Sequence, residues 1–301
     1  MSKDFQPTPM TFPTEPRLAA MVARHYDEGV LFSLAGEIYF DDELSEAEVG
    51  ASVRALRELG LPADFRSVYL PCAGTLRHVV PLVGQGACEV VAVDLSHESL
   101  RRGKAHYGPR LNGELRMYHE DIRATHVFTP PDGFRHAAML GNSFGDVTDP
   151  AGHQRFIKAL GQALAPGGAL VFDYVGDRYN PENPYGQESV WDETLYTNDG
   201  PVPVRDRRTR RYTAGEDGTG VLHFTCTVEL AETGEVLTDH EYEKLVVPDG
   251  VLGEQFGAHG MDLIPLGSIL GWSEYHKRRV EEKDDLGMMG ASDHLYVAVK
   301  R

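Results

Sequence analysis

The sequence predicts an α/β fold built on a doubly wound parallel sheet, with a small antiparallel β lid inserted late in the chain. Three observations carry this. Between residues 67 and 174, short apolar runs alternate with helical segments, the signature of a parallel sheet with crossover helices. Beyond Tyr174 the apolar residues switch to a period of two, as in half-buried strands. With 301 residues, 41% of them hydrophobic, the chain can bury one large core and still carry an insertion.

The segment through Pro16 holds several prolines and few core formers, and reads as a draped arm. Leu18, Met21 and Val22 follow at helical spacing, and a short helix is expected to end in His25, Tyr26 and Asp27 before Gly29. Ser45 with Glu48 three residues later forms a capping box. Val49, Val53 and Leu56 then share one helical face until Gly60 stops the helix. Strands are expected at 67–70, 89–93, 114–118, 135–140 and 169–174. Helices fall near 77–83, 96–107 and 150–164, the last closed by Pro166, Gly167 and Gly168.

Asn180 to Tyr185 is rich in Pro and Asn and breaks the pattern. Leu222, Phe224, Cys226, Val228 and Leu230 then share one face of a strand, Glu232-Thr233-Gly234 turns the chain, and the run to Val247 returns as a second strand. A helix at 251–258, a strand at 261–266 and a last strand at 294–299 complete the core. The expected organisation is an arm and helix covering the site (1–42), a core (43–176 and 249–301) and a β lid (177–248). No internal repeat is present.

The formal net charge of −17 argues against a nucleic-acid substrate and against anionic membranes, because such partners call for Lys and Arg to neutralise phosphate. Cys72, Cys88 and Cys226 are odd in number and lack metal-ligand spacing, so a reducing cytoplasm is expected, with neither a disulfide framework nor a zinc site. The thirteen histidines are scattered, and no metal is expected. No apolar run approaches a membrane span, and the N-terminus lacks the layout of a secretory signal. The expected partner is a small molecule, and a homodimer is left open.

The first strand runs into Pro71-Cys72-Ala73-Gly74-Thr75, a tight turn of mostly small residues that opens a helix. Such a turn lets the backbone approach a ligand and points helix N-terminal amides at it. The second strand ends in Asp94, twenty positions past Gly74, where a carboxylate can accept from both hydroxyls of a ribose. Asp121, after the third strand, is placed to meet an adenine amino group. The competing reading is that the turn is an ordinary loop and that Asp94 and Asp121 cap the helices that follow them.

At these residues the sequence resembles the class I S-adenosylmethionine-dependent methyltransferases, from about Ser67 to the chain end. "LPCAGTLRH" is similar to their glycine-rich first motif, "VVAVDLS" to the ribose-binding acidic motif and "HEDIRA" to the adenine-contacting one. "AAMLGNSFGDV" resembles the fourth motif of the small-molecule N-methyltransferases, of the glycine, sarcosine and sugar amine types. "HLYVAVKR" resembles the antiparallel seventh strand that separates this Rossmann-like, seven-stranded fold from nicotinamide-binding relatives. Pro71 and Leu76 stand where the family favours glycine, and Tyr69 where it has an acid.

The resemblance implies S-adenosyl-L-methionine as cofactor, contacted by Tyr26, Cys72, Ala73, Gly74, Thr75, Arg77, Asp94, Leu95, Asp121, Ile122, Leu140 and Asn142. It implies an acceptor held by Ser143, Tyr174 and Arg178, with Asp146 as the catalytic carboxylate that orients an amine or takes its proton. The alternative for Asp146 is a turn or cap beside Pro150; for Tyr26, half-buried packing; for Arg178, a solvated loop. Arg205, Arg207, Arg208, Arg210 and Arg211 form the one basic cluster and are expected on a solvated lid face. The implied activity is methyl transfer to an amine or hydroxyl of a small metabolite. The alternatives are a protein that binds the cofactor without methylating, supported by Pro71 and Leu76, and a nicotinamide oxidoreductase.

Overall fold

A computed structural model describes residues 10, 16–22, 26–27, 42–63, 65–174, 188–197, 200–215, 218–282 and 294–301. A seven-stranded sheet forms the core. Its strands are β1 (Ser67–Pro71), β2 (Glu89–Asp94), β3 (Glu114–His119), β4 (Phe134–Met139), β5 (Leu164–Tyr174), β10 (Met261–Ser268) and β11 (His294–Lys300), in the order β10-β11-β5-β4-β1-β2-β3. The first five are mutually parallel where they pair, while β11 runs antiparallel to both β5 and β10. This is the doubly wound, Rossmann-like sheet with an antiparallel last strand that the sequence predicts.

Alternation along the strands builds a core on each face. Val68 and Leu70 of β1 join Val90, Ala92, Leu76 and Leu100 on one side. Tyr69 points to the other, where Phe144, Phe172, Phe256 and Tyr296 gather. Its ring stacks on Phe128 and Phe134 with centroids 5.3 and 5.1 Å away, so Tyr69 is a core aromatic.

Helices α1 (Pro16–Val22), α2 (Asp42–Glu58), α3 (Val79–Gly84), α4 (His97–Tyr107), α5 (Thr125–Phe128), α6 (Pro150–Ala163), α7 (Asp249–Ala258) and α8 (Glu274–Glu282) complete the fold. One expectation fails at α2. The helix begins at Asp42, so Ser45 is a buried interior residue and not an N-cap, and Glu48 turns inward to bind Arg77 and His78. The stop at Gly60 is as read: φ is +67°, and Leu61 N donates to Leu56 O at 2.9 Å in a Schellman closure. Strand β5 starts five residues earlier than expected. The Pro166-Gly167-Gly168 bend is absorbed as a bulge opposite β4, where a side chain at Gly168 would meet Phe134 O at 2.6 Å.

Between β5 and α7 lies a second sheet of four antiparallel strands, β6 (Glu188–Thr197), β7 (Gly200–Ala214), β8 (Gly220–Leu230) and β9 (Val236–Val246), in sequential order. The β8–β9 hairpin is the one the alternation predicts. Strands β6 and β7 were hidden by the arginine run, whose charges are met across the ladder: Arg205 pairs with Asp192 at 2.9 Å and Arg207 with Glu188 at 2.5 Å. The expectation of a solvated arginine face is corrected at Arg208, which is mostly buried and bound to Asp206 at 2.7 Å.

Candidate active site

The strand order reverses at β1, which pairs with β2 on one side and β4 on the other, and the loops leaving β1 and β4 flank the resulting crevice. The loop after β1 folds back on β2. Ala73 N donates to Val93 O at 3.1 Å, and Gly74 N donates to Asp94 Oδ2 at 2.7 Å. The other oxygen of Asp94 accepts from Ser96 N at 2.7 Å. Gly74 has φ +50°, and nothing lies within 4 Å of where its Cβ would be, so the bend presents bare backbone to open space.

The two departures from the glycine pattern leave this bend clear. Pro71 is the last residue of β1, paired with Val93, and Leu76, at φ +62°, is fully buried in the core. Thr75 is buried as well, with α4 packed so close that a side chain at Gly103 would meet Thr75 O at 2.1 Å.

Asp94 does not cap α4. Ser96 does, accepting from Ser99 N at 3.0 Å. Burial pushes the Asp94 carboxyl up to about 6. The two backbone N–H donors oppose that rise, while the carboxylates of Asp27 and Asp146 add to it. The arm reaches this point too: Asp27 Oδ1 accepts from Ser96 Oγ at 2.7 Å and Glu98 N at 3.3 Å, which sets Tyr26, half-buried, next to a residue docked at the site.

Asp121 is buried beyond β3, and its carboxylate forms a forked ion pair with Arg123, Nε donating to Oδ1 at 2.8 Å and Nη2 to Oδ2. Ile122 is buried beside it, and Leu95 is half-buried. Leu95 O accepts from His119 Nε2 at 3.0 Å, and His119 meets His97 edge to face at 5.5 Å. Neither ring was singled out in the sequence, where scattered histidines carry no pattern. Arg77 pairs with Glu48 Oε2 at 2.5 Å, with Nη1 donating to Ser45 Oγ at 3.3 Å.

The loop after β4 opens with buried Leu140, then Gly141 (φ +93°) and Asn142 (φ +59°). Asp173, near the end of β5, holds that left-handed turn by accepting Gly141 N at 3.1 Å and Asn142 N at 2.9 Å. Burial, then the Glu48 carboxylate, push Asp173 up to about 6 against those two donors and Arg77. Half-buried Ser143 leads into a 3-10 turn, Phe144–Asp146, closed by Asp146 N donating to Ser143 O at 3.1 Å.

Of the turn-or-cap alternative for Asp146, the turn is present in this 3-10 segment and the cap is not, because Asp149 caps α6 by accepting Gly152 N at 2.5 Å. Asp146 Oδ1 instead accepts from Lys244 Nζ of β9 at 2.6 Å, and Lys244 also donates to Asn142 O. Cys72, at φ +53°, sits among these groups. Its thiol is pushed well up by burial and then by Asp94, Asp146 and Asp121, with Lys244 opposing.

Tyr174 corrects an expectation. It is fully buried, its hydroxyl donating to Leu245 O at 2.6 Å and accepting from Val247 N at 2.7 Å. It clasps the end of β9 to the core and presents no surface to an acceptor. Arg178 lies outside the described residues. Lys244 and Asp173 are the members that sequence reading missed: Lys244 is one charge in a polar strand, and Asp173 is one acid inside an apolar run.

Among the described residues no group of three His, Cys, Asp or Glu side chains is gathered to hold a metal ion, and no helix is long and apolar enough to cross a membrane.

No protein-family model matches the chain, and no curated protein sequence does. Solved structures do match. An S-adenosylmethionine-dependent methyltransferase from Clostridium acetobutylicum superposes with a TM-score of 0.60 at 15% identity, covering 91% of this chain and 97% of that one. CalS10, an amino pentose methyltransferase from Micromonospora echinaspora, gives 0.56 at 16%, covering 98% and 100%. KedS8, a sugar N-methyltransferase from Streptoalloteichus, gives 0.56 at 16%, covering 100% and 99%. At such identities the likeness is one of fold: this chain is similar to class I methyltransferases along nearly its whole length.

Proposed function

We propose that the protein transfers a methyl group from S-adenosyl-L-methionine to an amine or hydroxyl of a small molecule. The observation that carries this is the joined pair of Gly74 and Asp94, bare backbone and carboxylate 2.7 Å apart at the switch point of the sheet. The residues present fit the adenosyl cofactor. The backbone at Gly74 is open to an approaching ligand, and Asp94 can accept further from ribose hydroxyls. Leu95 and Ile122 supply apolar walls, and Tyr26 a cover. The solved neighbours described as methyltransferases on the same fold support the reading. The excess of acid over base favours a small acceptor over nucleic acid.

When bound, the cofactor supplies a methyl group already activated by a sulfonium. The work left to the protein is alignment of a nucleophile on the methyl axis and removal of its proton. Asp173 fixes the turn at Gly141 and Asn142, and Lys244 joins Asn142 O to Asp146 in the same loop, the arrangement on which this scheme draws. Asp146 is the base in this scheme, orienting an amine or accepting its proton.

Incubation with tritiated S-adenosylmethionine and a panel of amine and phenol acceptors tests this. Labelled product is expected from at least one amine. Calorimetric binding with no consumption across the panel would favour a protein that uses the fold without methylating.

A further inference from the structure

We propose that Lys244 plugs the acceptor-nitrogen position, so that the site selects acceptors that bring an ammonium of their own to displace it. The inference rests on the methyl-transfer reading and deepens it by naming the acceptor as a basic amine. Two acceptors converge on Lys244 Nζ: the carbonyl of Asn142 and the carboxylate of Asp146, the latter at 2.6 Å. Both come from the core side, and the cation comes from the lid sheet, on the β9 residue paired with Leu222 of β8.

The backbone that carries the two acceptors is held by bonds of its own. Asn142 is held at φ +59° by the hydrogen bond from its N–H to Asp173 Oδ1, and Asp146 is held by its own N–H bond to Ser143 O. Taking the lysine away therefore leaves a carbonyl and a carboxylate on a fixed loop, both able to accept from one nitrogen that carries two donors. The side chains of the pair are only 13% and 18% exposed, so solvent is a poor substitute for either partner. An alkylammonium has three N–H donors and satisfies both acceptors, whereas a hydroxyl has one and leaves the other bare. Asp146 and Lys244 both act electrostatically on the thiol of Cys72, in the loop that carries the Gly74 bend.

The test uses ethylammonium chloride as probe, with sodium chloride as control, titrated calorimetrically into wild type, Lys244→Met, Lys244→Gln and Lys244→Met/Asp146→Asn. Each is run with and without S-adenosylhomocysteine, and near-UV circular dichroism checks that each variant is folded. Either uncharged variant is expected to bind ethylammonium about tenfold or more tightly than wild type, the scale of one charge-assisted contact. Adding Asp146→Asn removes the gain, and ethanol shows none. Equal binding by wild type and both single variants would overturn the plug, as would a gain that survives Asp146→Asn. Failure of wild type to bind S-adenosylhomocysteine would sink the methyl-transfer reading, while the titration without it still decides the role of Lys244.

Discussion

The backbone N–H of Gly74 donates to Oδ2 of Asp94 across 2.7 Å, so the bend after β1 and the end of β2 form one unit. That single bond ties the loop to the acid at the point where the sheet reverses its order, and several consequences can be measured.

Affinity for an adenosyl ligand depends on pH through Asp94. Burial holds its folded pKa up at about 6, above the ordinary 3.8, so in the empty protein its contribution to stability is full below 3.8 and is lost as pH rises through 6. Ribose hydroxyls donate to the ionised form and reverse that preference on binding. S-adenosylhomocysteine is therefore expected to bind more tightly as pH rises from 5 to 7.5, with a midpoint near 6. Calorimetry across that range checks it, and Asp94→Asn is expected to flatten the profile.

Glu48 behaves in the opposite sense. Burial works to raise its pKa, but Arg77 and His78 overcome this and hold it at about 2, below the ordinary 4.5. Its stabilisation is full above 4.5 and is lost as pH falls toward 2. Glu48→Gln leaves the Arg77 guanidinium buried without its counter-ion, a loss of about 3–5 kcal/mol in urea denaturation at pH 7. The same variant is expected to lose much of the wild type's acid sensitivity.

Tyr174→Phe removes both bonds of the clasp, leaving Leu245 O and Val247 N without their partner. A destabilisation of about 1–3 kcal/mol is expected, with faster amide exchange at Val247. Loosening of β9 also releases Lys244, so the change is expected in KM for the acceptor more than in cofactor affinity.

Asp146→Asn keeps the shape and removes the base. With an amine acceptor, kcat is expected to fall by about 100-fold while S-adenosylhomocysteine binding is unchanged. Unchanged turnover would take Asp146 out of the mechanism.

Much of the fold was legible because the parallel strands are short apolar runs with clear stops. β2, β3 and β4 lie within a residue of their expected ends, and β11 closes the sheet as the terminal motif implied. What escaped was set by tertiary contacts. Ser45 and Glu48 carry the spacing of a capping box, yet the helix starts at Asp42 and Glu48 answers a buried arginine, Arg77, in the loop after β1. Strands β6 and β7 lack apolar alternation because salt bridges across the ladder replace it. The bend and Asp94 could be read from local spacing, because the Gly74–Asp94 bond joins the ends of two adjacent strands only twenty residues apart. Asp173, Lys244 and Tyr174 act through partners distant in sequence, and no local pattern announces those roles.

Titration of S-adenosylhomocysteine into wild type and Asp94→Ala, followed by calorimetry at pH 7.5, bears most directly on the site at the head of β1. Saturable one-to-one binding is predicted for wild type, weakened by about 100-fold in the variant, as expected when two hydrogen bonds to a charged acceptor are lost. No binding by wild type, or equal binding by the two proteins, would contradict it.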